Sequence, residues 1–211
     1  DTVYNRYGIG APYVDAETGN VYCESTCGVI KAFTRDGKLI WERSMMEEFG
    51  RLTFPNSRTG SLVTDGELLI AKAITANWGT DGAARSRYYA FAKLTGELVW
   101  ASTPGTDPVD NPMGAPVFAD LGGHRVFYVG TGCGHVVCIN ARTGEPVWRF
   151  KLSNGGLAQA QKVVAQAAVH RQAHAVGLDQ AHARLVDLVD ELQSLARLAS
   201  QGYNRIPLLT E

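Results

Sequence analysis

Residues 90–100 read AFAKLTGELVW, which is two short apolar runs separated by a Thr-Gly turn. Glycine adopts a positive φ without steric cost, so this stretch predicts a β-hairpin whose second strand closes on a tryptophan. Variants of the stretch occur at residues 32–41 and 138–148, and they close on Trp41 and Trp148. A hairpin that recurs three times predicts a repeat architecture.

The repeated unit is longer than the hairpin. Each unit opens near a glycine (Gly10, Gly60 or Gly114) and contains four short β-type runs separated by turn residues. The closing tryptophans are spaced 59 and 48 residues apart, and the longer unit carries an insertion at residues 77–86. Four strands in 40–50 residues are typical of a propeller blade. We therefore expect a mainly β fold, a partial β-propeller of about three four-stranded blades, over residues 1–156.

The tryptophans are interpreted as packing residues. A flat ring on the last strand can cover the face of the neighbouring blade and bury about 150–250 Å². Trp78 lies outside the repeat, and we interpret it as a loop packing residue or part of a surface contact.

Composition restricts the function classes. The chain has 211 residues, 45% of them hydrophobic and 19% charged, with a net charge of −1. This balance fits a globular chain that can bury a core, and it argues against disorder and against a basic nucleic-acid footprint. No apolar run approaches the roughly 20 residues of a membrane helix. We expect no nucleic-acid partner and no membrane span.

The three units, with the hairpins quoted above, resemble the repeats of the pyrroloquinoline-quinone (PQQ)-type β-propellers over about residues 10–152. This family is quinoprotein alcohol dehydrogenase-like. Its members include quinoprotein alcohol dehydrogenases, an outer-membrane assembly lipoprotein and many exported repeat proteins. The resemblance implies a propeller fold and a periplasmic or extracellular location. It leaves the activity open, because one fold supports many functions.

A quinone dehydrogenase of this family would need a quinone, a calcium or lanthanide ion and an aspartate base, usually with a vicinal disulfide. The chain has no adjacent cysteine pair and no Cys-x-x-Cys-His haem motif. Its candidate aspartates lie in or beside turns, where aspartate usually bonds its own backbone; they are Asp15, Asp65, Asp110 and Asp120. We expect no enzyme activity from the chain alone. We assign no cofactor and no catalytic, cofactor-binding or metal-binding residue.

Four cysteines leave three alternatives open. Cys23 and Cys27 are four residues apart, Cys133 and Cys138 are five apart, and Cys27 and Cys133 occupy the same repeat position in the turn between the middle strands. They could be free buried thiols, or they could form one or two local disulfides. A zinc site is the least favoured, because unit two separates the pairs and neither has Cys-x-x-Cys spacing.

Residues 157–211 predict a helical C-terminal segment. The first helix is expected from Leu157 to about Ala175, and the second from Asp179 to about Ala199. Apolar residues of the second helix follow a heptad spacing, which is typical of a helical hairpin or a helical dimer contact. These residues are Leu178, Ala181, Leu185, Leu188, Leu192, Leu195 and Ala199.

Two further features lie in this segment. His170 and His174 share a helix face, with His182 beyond, and we interpret them as solvated rather than as metal or haem ligands.

Residues 195–209 resemble the opening of anthranilate synthase component I, where a short helix leads into an Asn-Arg-Ile-Pro strand. No activity follows from that short match. A composite chain and a chance similarity are both open explanations.

An array of three blades leaves strand edges and apolar faces without neighbours, which natural proteins avoid. We therefore expect a protein partner or self-association to cover the open blade edges. The predicted function is a non-enzymatic binding or scaffold module, an exported subunit of a larger assembly. In one version of this hypothesis, the C-terminal helices join the subunits. The alternative is a fragment of a PQQ-dependent dehydrogenase whose quinone site other blades or chains complete.

Overall fold

The computed structural model describes residues 10–50, 52–53, 60–75, 85–106 and 114–151. The predicted helical hairpin, its three histidines, Trp78, Asp110 and the predicted domain boundary at residue 156 all lie outside these ranges. The elements of the described ranges are β1 (Tyr13–Val14), β2 (Val21–Glu24), β3 (Val29–Phe33), β4 (Leu39–Ser44), α1 (Met45–Phe49), β5 (Leu52–Thr53), β6 (Val63–Asp65), β7 (Leu68–Thr75), β8 (Ser86–Ala92), β9 (Leu98–Ser102), β10 (Val117–Leu121), β11 (His124–Gly130), β12 (His135–Asn140) and β13 (Pro146–Lys151).

These strands form three antiparallel sheets, which confirms the mainly β, three-blade prediction. Blade 1 is β1-β2-β3-β4, blade 2 is β6-β7-β8-β9 and blade 3 is β10-β11-β12-β13. Strand β5 also belongs to blade 2, because it pairs with the far end of β7 beyond the stretch that pairs with β6. The predicted insertion falls between β7 and β8.

Helix α1 is a feature that the sequence analysis missed. Ser44 caps it by accepting a hydrogen bond from the Glu47 N–H at 3.4 Å, and Glu47 and Glu48 place negative charge at its positive end. Five residues are too few to show a helical periodicity in sequence. The helix buries Met45 against the core that blades 1 and 2 share.

The closing hairpin has one geometry in all three blades. A β-bulge follows Ala32, Ala90 and Cys138, and these residues pair with Trp41, Trp100 and Trp148. The turn glycines Gly37, Gly96 and Gly144 have φ of 81°, 75° and 76°. The sequence prediction that glycine supplies a positive φ at this turn is therefore confirmed.

Each blade packs on the next through its tryptophan. A Cβ added at Gly96 would stand 2.6 Å from Cδ2 of Trp41, and one added at Gly144 would stand 2.6 Å from Cε3 of Trp100. The Trp41 indole N–H donates to the Lys93 carbonyl at 3.0 Å, and the Trp100 indole N–H donates to the Ala141 carbonyl at 3.1 Å. The predicted packing of tryptophans between blades is confirmed for these two rings.

The core consists of the two spaces between neighbouring blades. Successive side chains of a strand point to opposite faces, so Leu69 of β7 packs toward blade 1 while Ile70 packs toward blade 3. The second space holds a stacked pair, Trp100 and Phe127, with ring centroids 6.2 Å apart.

Ion pairs cross both spaces. Asp15 of blade 1 pairs with Lys93 of blade 2 at 3.0 Å, where both side chains are 5% exposed, and also accepts the Thr64 hydroxyl at 2.8 Å. At the same repeat position, Asp65 of blade 2 pairs with Arg125 of blade 3 at 2.6 Å. Burial raises the pKa of Asp15, but hydrogen bonds from Thr18, Thr64 and Lys93 outweigh it and lower the pKa to about 2.

The interpretation of these aspartates as turn residues is therefore incomplete. Asp15 does accept the Thr18 N–H of its own turn at 3.2 Å. It also joins two blades, as Asp65 does. Asp120 pairs with Arg125 at 3.0 Å.

The packing of Trp100 on Gly144 predicts a graded effect of alanine at the turn glycines. Gly144→Ala and Gly37→Ala both force a left-handed residue, which costs roughly 1–2 kcal/mol. Only Gly144→Ala also meets a ring, which adds roughly 1–3 kcal/mol of overpacking. Urea denaturation should therefore show a larger loss of unfolding free energy for Gly144→Ala. Equal losses would contradict the tryptophan contact.

The Asp15 contacts predict acid sensitivity. Because the pKa is lowered from 3.8 to about 2 in the fold, ionised Asp15 contributes stability above about pH 4, and this contribution is lost as the pH falls toward 2. Asp15→Asn should destabilise the protein near neutral pH and reduce the loss of stability between about pH 4 and about pH 2. Denaturation curves at several pH values measure both effects.

Asp36→Asn is the matched control, because Asp36 is an exposed aspartate in the turn of blade 1. It should leave the stability and its pH dependence near those of the unsubstituted protein. A pH dependence that Asp15→Asn does not change would contradict the assignment.

Candidate functional site

Trp148 on β13 occupies the position that Trp41 and Trp100 occupy in the other blades. Its ring lies against Tyr128, with centroids 5.6 Å apart, and packs beside Val117 and Val136. The ring remains partly exposed, and within the described ranges its indole N–H has no acceptor. We call the surface of Trp148, Val117 and Val136 the outgoing face, since it is the face that each earlier blade presents to the next.

The opposite end of the array presents the turn at Gly37. In this turn the Thr34 N–H donates to the Lys38 carbonyl at 2.8 Å and the Gly37 N–H donates to the Thr34 carbonyl at 2.9 Å. The equivalent bonds in blade 2 join Ala92 to Glu97 and Gly96 to Ala92, both at 2.8 Å. The shorter Asp-Gly turn therefore reproduces the longer Thr-Gly turn.

No tryptophan covers this first turn within the described part of the chain. A Cβ added at Gly37 would meet nothing within 4 Å, whereas the same atom at Gly96 or Gly144 would strike an indole ring. We call the Gly37 turn, with Arg35, the incoming face. Arg35 stands at the repeat position of Lys93, the residue that pairs with Asp15 of the preceding blade.

The two faces differ in charge. The repeat position of Asp15 and Asp65 is occupied in blade 3 by Ala119, since Val117 pairs with Tyr128 as Tyr13 pairs with Tyr22. The outgoing face therefore lacks the carboxylate that joins the first two pairs of blades. It is an apolar surface centred on one indole donor.

A second polar position lies deep in the array. Glu24 and Lys72 occupy one repeat position in blades 1 and 2, and both are almost fully buried. Burial raises the pKa of Glu24 and lowers that of Lys72, and in each case the charge of the other residue opposes the shift. The Lys72 ammonium donates to the Gly114 carbonyl at 2.7 Å. No residue in the described ranges forms a hydrogen bond with the Glu24 carboxyl oxygens. The sequence analysis missed this pair.

The four cysteines are free thiols, and the predicted alternative of free buried thiols holds for two of them. Cys133 and Cys138 are buried, Cys23 is half-buried and Cys27 is exposed. Burial raises the pKa of Cys138 to about 11. Cys27 and Cys133 do share one position in the turn between the middle strands, as predicted.

Metal-binding clusters and membrane-spanning helices are both absent from the described ranges. These ranges contain no group of three or more His, Cys, Asp or Glu side chains placed to hold a metal ion. No helix in them is long and apolar enough to span a membrane.

Similar solved structures include BamB from Moraxella catarrhalis, at 20% identity and a TM-score of 0.47 over 72% of this chain and 40% of that one. A europium-containing methanol dehydrogenase matches at 15% identity and a TM-score of 0.49 over 70% of this chain and 32% of that one. The quinohemoprotein alcohol dehydrogenase from Comamonas testosteroni matches at 18% and 0.46, over 65% and 26%. The chain thus spans less than half the length of each structure.

The chain matches no curated protein. A family model described as outer membrane protein assembly factor BamB matches residues 84–202, which cover blade 3, the last two strands of blade 2 and much of the C-terminal segment. The match takes in more than half of the chain and both of the later closing tryptophans. The protein therefore belongs to this PQQ-like β-propeller repeat family.

Proposed function

We propose that the chain is a non-enzymatic propeller module, an exported subunit that joins a larger assembly by stacking its terminal blades against further four-stranded blades. The observation that supports this proposal most directly is the position of Trp148. It reproduces the position of two indole rings that join blades, and no blade covers it in the described part of the chain.

The geometry of the two existing contacts defines the partner of the outgoing face. Trp41 and Trp100 each lie on a glycine turn and each donate to a carbonyl three residues before that glycine. A blade that offers such a turn would give Trp148 an acceptor and cover its ring. Tryptophans in this kind of setting often supply 2 kcal/mol or more of binding energy, by the order of magnitude seen in interface scans.

The incoming face fits the complementary partner. The open space above Gly37 accepts an indole ring, and Arg35 stands where Lys93 receives a carboxylate. A preceding blade that ends on tryptophan and carries an aspartate at the Asp15 position would satisfy both groups. Within the described part of the chain, blade 3 offers an uncovered indole donor and blade 1 offers an open glycine turn. A second copy can therefore supply the ring and the turn in a test, although Ala119 gives Arg35 no carboxylate.

Family membership supports the assembly role and the location. The family description names an outer membrane protein assembly factor, and that description is the source of the periplasmic or extracellular location that we propose. This part of the proposal is a fold-level analogy, whereas the docking surfaces rest on this chain's own residues.

The proposal predicts head-to-tail association. Sedimentation velocity over a range of concentrations should show that the chain self-associates, because Trp148 of one copy can lie on the Gly37 turn of another. Trp148→Ala should weaken the association about tenfold or more, since about 1.4 kcal/mol corresponds to tenfold in Kd. Gly37→Ala should weaken it similarly, because its Cβ would occupy the space of the incoming ring.

Val147→Ala is the matched control, since Val147 is 51% exposed on the same strand and belongs to neither face. It should leave the association unchanged. Urea denaturation of dilute samples confirms that each variant still folds. A chain that stays monomeric, or associates equally well with Trp148→Ala and Gly37→Ala, would refute docking through these faces.

A further inference from the structure

Cys133 lies among hydrogen-bonding groups that the assembly role does not use. Its Sγ is 3.0 Å from the hydroxyl of Thr131, in the turn between β11 and β12, and 3.1 Å from Nδ1 of His135, the first residue of β12. From the chain that follows β9 in blade 2, the Thr106 N–H donates to the same sulfur at 3.3 Å. A thiol beside an imidazole and a backbone N–H has the groups that stabilise a thiolate.

Two unpartnered hydroxyls lie on the blade 2 side of this cluster. Ser86 Oγ and Tyr88 OH are buried, and neither has a hydrogen-bond partner among the described residues. Ser86 and Cys133 both lie close to Gly105. A Cβ added at Gly105 would be 3.2 Å from Cys133 Sγ and 3.4 Å from Ser86 Cβ. Buried hydroxyls normally have partners, so these two unpartnered hydroxyls leave hydrogen-bonding capacity beside the thiol that a small oxygen-bearing molecule can use.

The charge states favour a reactive sulfur. Burial raises the pKa of Cys133, but hydrogen bonds from Thr106 and Thr131 outweigh it and hold the pKa below its ordinary value. Burial, Arg149 and Lys151 lower the pKa of His135, so the ring is neutral and can accept a proton. In the Nε2–H tautomer, His135 Nδ1 accepts the thiol hydrogen.

The repeat supplies an internal comparison. The turn at Cys27 has the same backbone bonds: the Ser25 N–H donates to the Val29 carbonyl at 2.9 Å, as the Thr131 N–H donates to the His135 carbonyl at 2.8 Å. Val29 stands where His135 stands in blade 3. Cys27 is therefore a thiol in the same turn without the imidazole, and it is more exposed than Cys133.

We propose that Cys133 is a site of oxidation by small hydroperoxides, activated by His135 and the Thr106 N–H. The sulfur attacks the nearer peroxide oxygen, an S–O bond forms and the O–O bond breaks. The thiol proton passes through His135 Nδ1 to the departing oxygen, which leaves as water or an alcohol. The sulfur is oxidised by two electrons to a sulfenic acid and the peroxide is reduced. At 8% exposure, Cys133 admits only a small reagent.

The test treats the full chain with limiting hydrogen peroxide, traps sulfenic acid with dimedone and measures the labelling of each cysteine by peptide mass spectrometry. Cys133 should be labelled about tenfold faster than Cys27, although Cys27 is more exposed, because a positioned proton acceptor contributes at least that factor. Labelling of Cys133 no faster than that of Cys27 would overturn the proposal.

His135→Asn tests the role of the imidazole. It should slow the labelling of Cys133 about tenfold and leave that of Cys27 unchanged, with circular dichroism used to confirm folding. A folded His135→Asn protein that labels at the original rate would overturn the role of His135. If this variant does not fold, Val29→His in the turn of Cys27 decides the question: faster labelling of Cys27 supports activation by histidine at this position, and an unchanged rate refutes it.

Discussion

The structure depends on a contact between an indole ring and a turn glycine of the next blade. A single four-stranded blade of this size cannot bury both of its faces, so it is stable only when neighbours cover them. The contact requires a large flat ring on the last strand, a glycine without a Cβ and a backbone carbonyl within reach of the indole N–H. Trp41 with Gly96 and Trp100 with Gly144 meet all three requirements. The contact sets the spacing of the blades, and the aromatic residues between them fill the space that it leaves.

The ion pairs then add specificity to this apolar contact. Asp15 and Asp65 stand at one repeat position, and each pairs with a cation in the closing turn of the next blade, Lys93 and Arg142. Asp65 pairs in addition with Arg125 at the start of β11. These ion pairs fix each blade against the next one in the array. In blade 3 this position is Ala119, so the outgoing face has no carboxylate there. In the docking that we propose, shape and one hydrogen bond would select the partner of this face, which places fewer demands on the sequence of the partner blade.

The sequence was sufficient for features that depend on local pattern. The Thr-Gly turns, the closing tryptophans, the number of blades and the shared position of Cys27 and Cys133 follow from spacing and from the conformational freedom of glycine. The ion pairs could not be predicted, because their members are distant in sequence and any exposed Lys or Arg is a candidate until the blades are placed. The sequence did contain a weak indication for Lys93, because Arg35 places a second cation at the same repeat position in blade 1. Helix α1 was missed because it is too short for a periodic pattern.

The buried polar groups show how the chemistry of a repeat differs at single positions. The strand register places Glu24, Lys72 and Gly130 at one equivalent position of the three blades. Val29 and His135 share a second equivalent position, directly after the turn between the middle strands of blades 1 and 3. Backbone geometry is conserved between these copies, since the turn and ladder hydrogen bonds recur, so a substitution at one copy changes the chemistry without changing the fold. Glu24 and Lys72 put opposite charges at a position where blade 3 has glycine, and His135 puts an imidazole beside a thiol where blade 1 has valine. The tryptophan contacts stabilise the array across all three blades. The positions of Glu24, Lys72 and His135 can therefore differ between blades, and each places a polar group in one blade that the other blades lack.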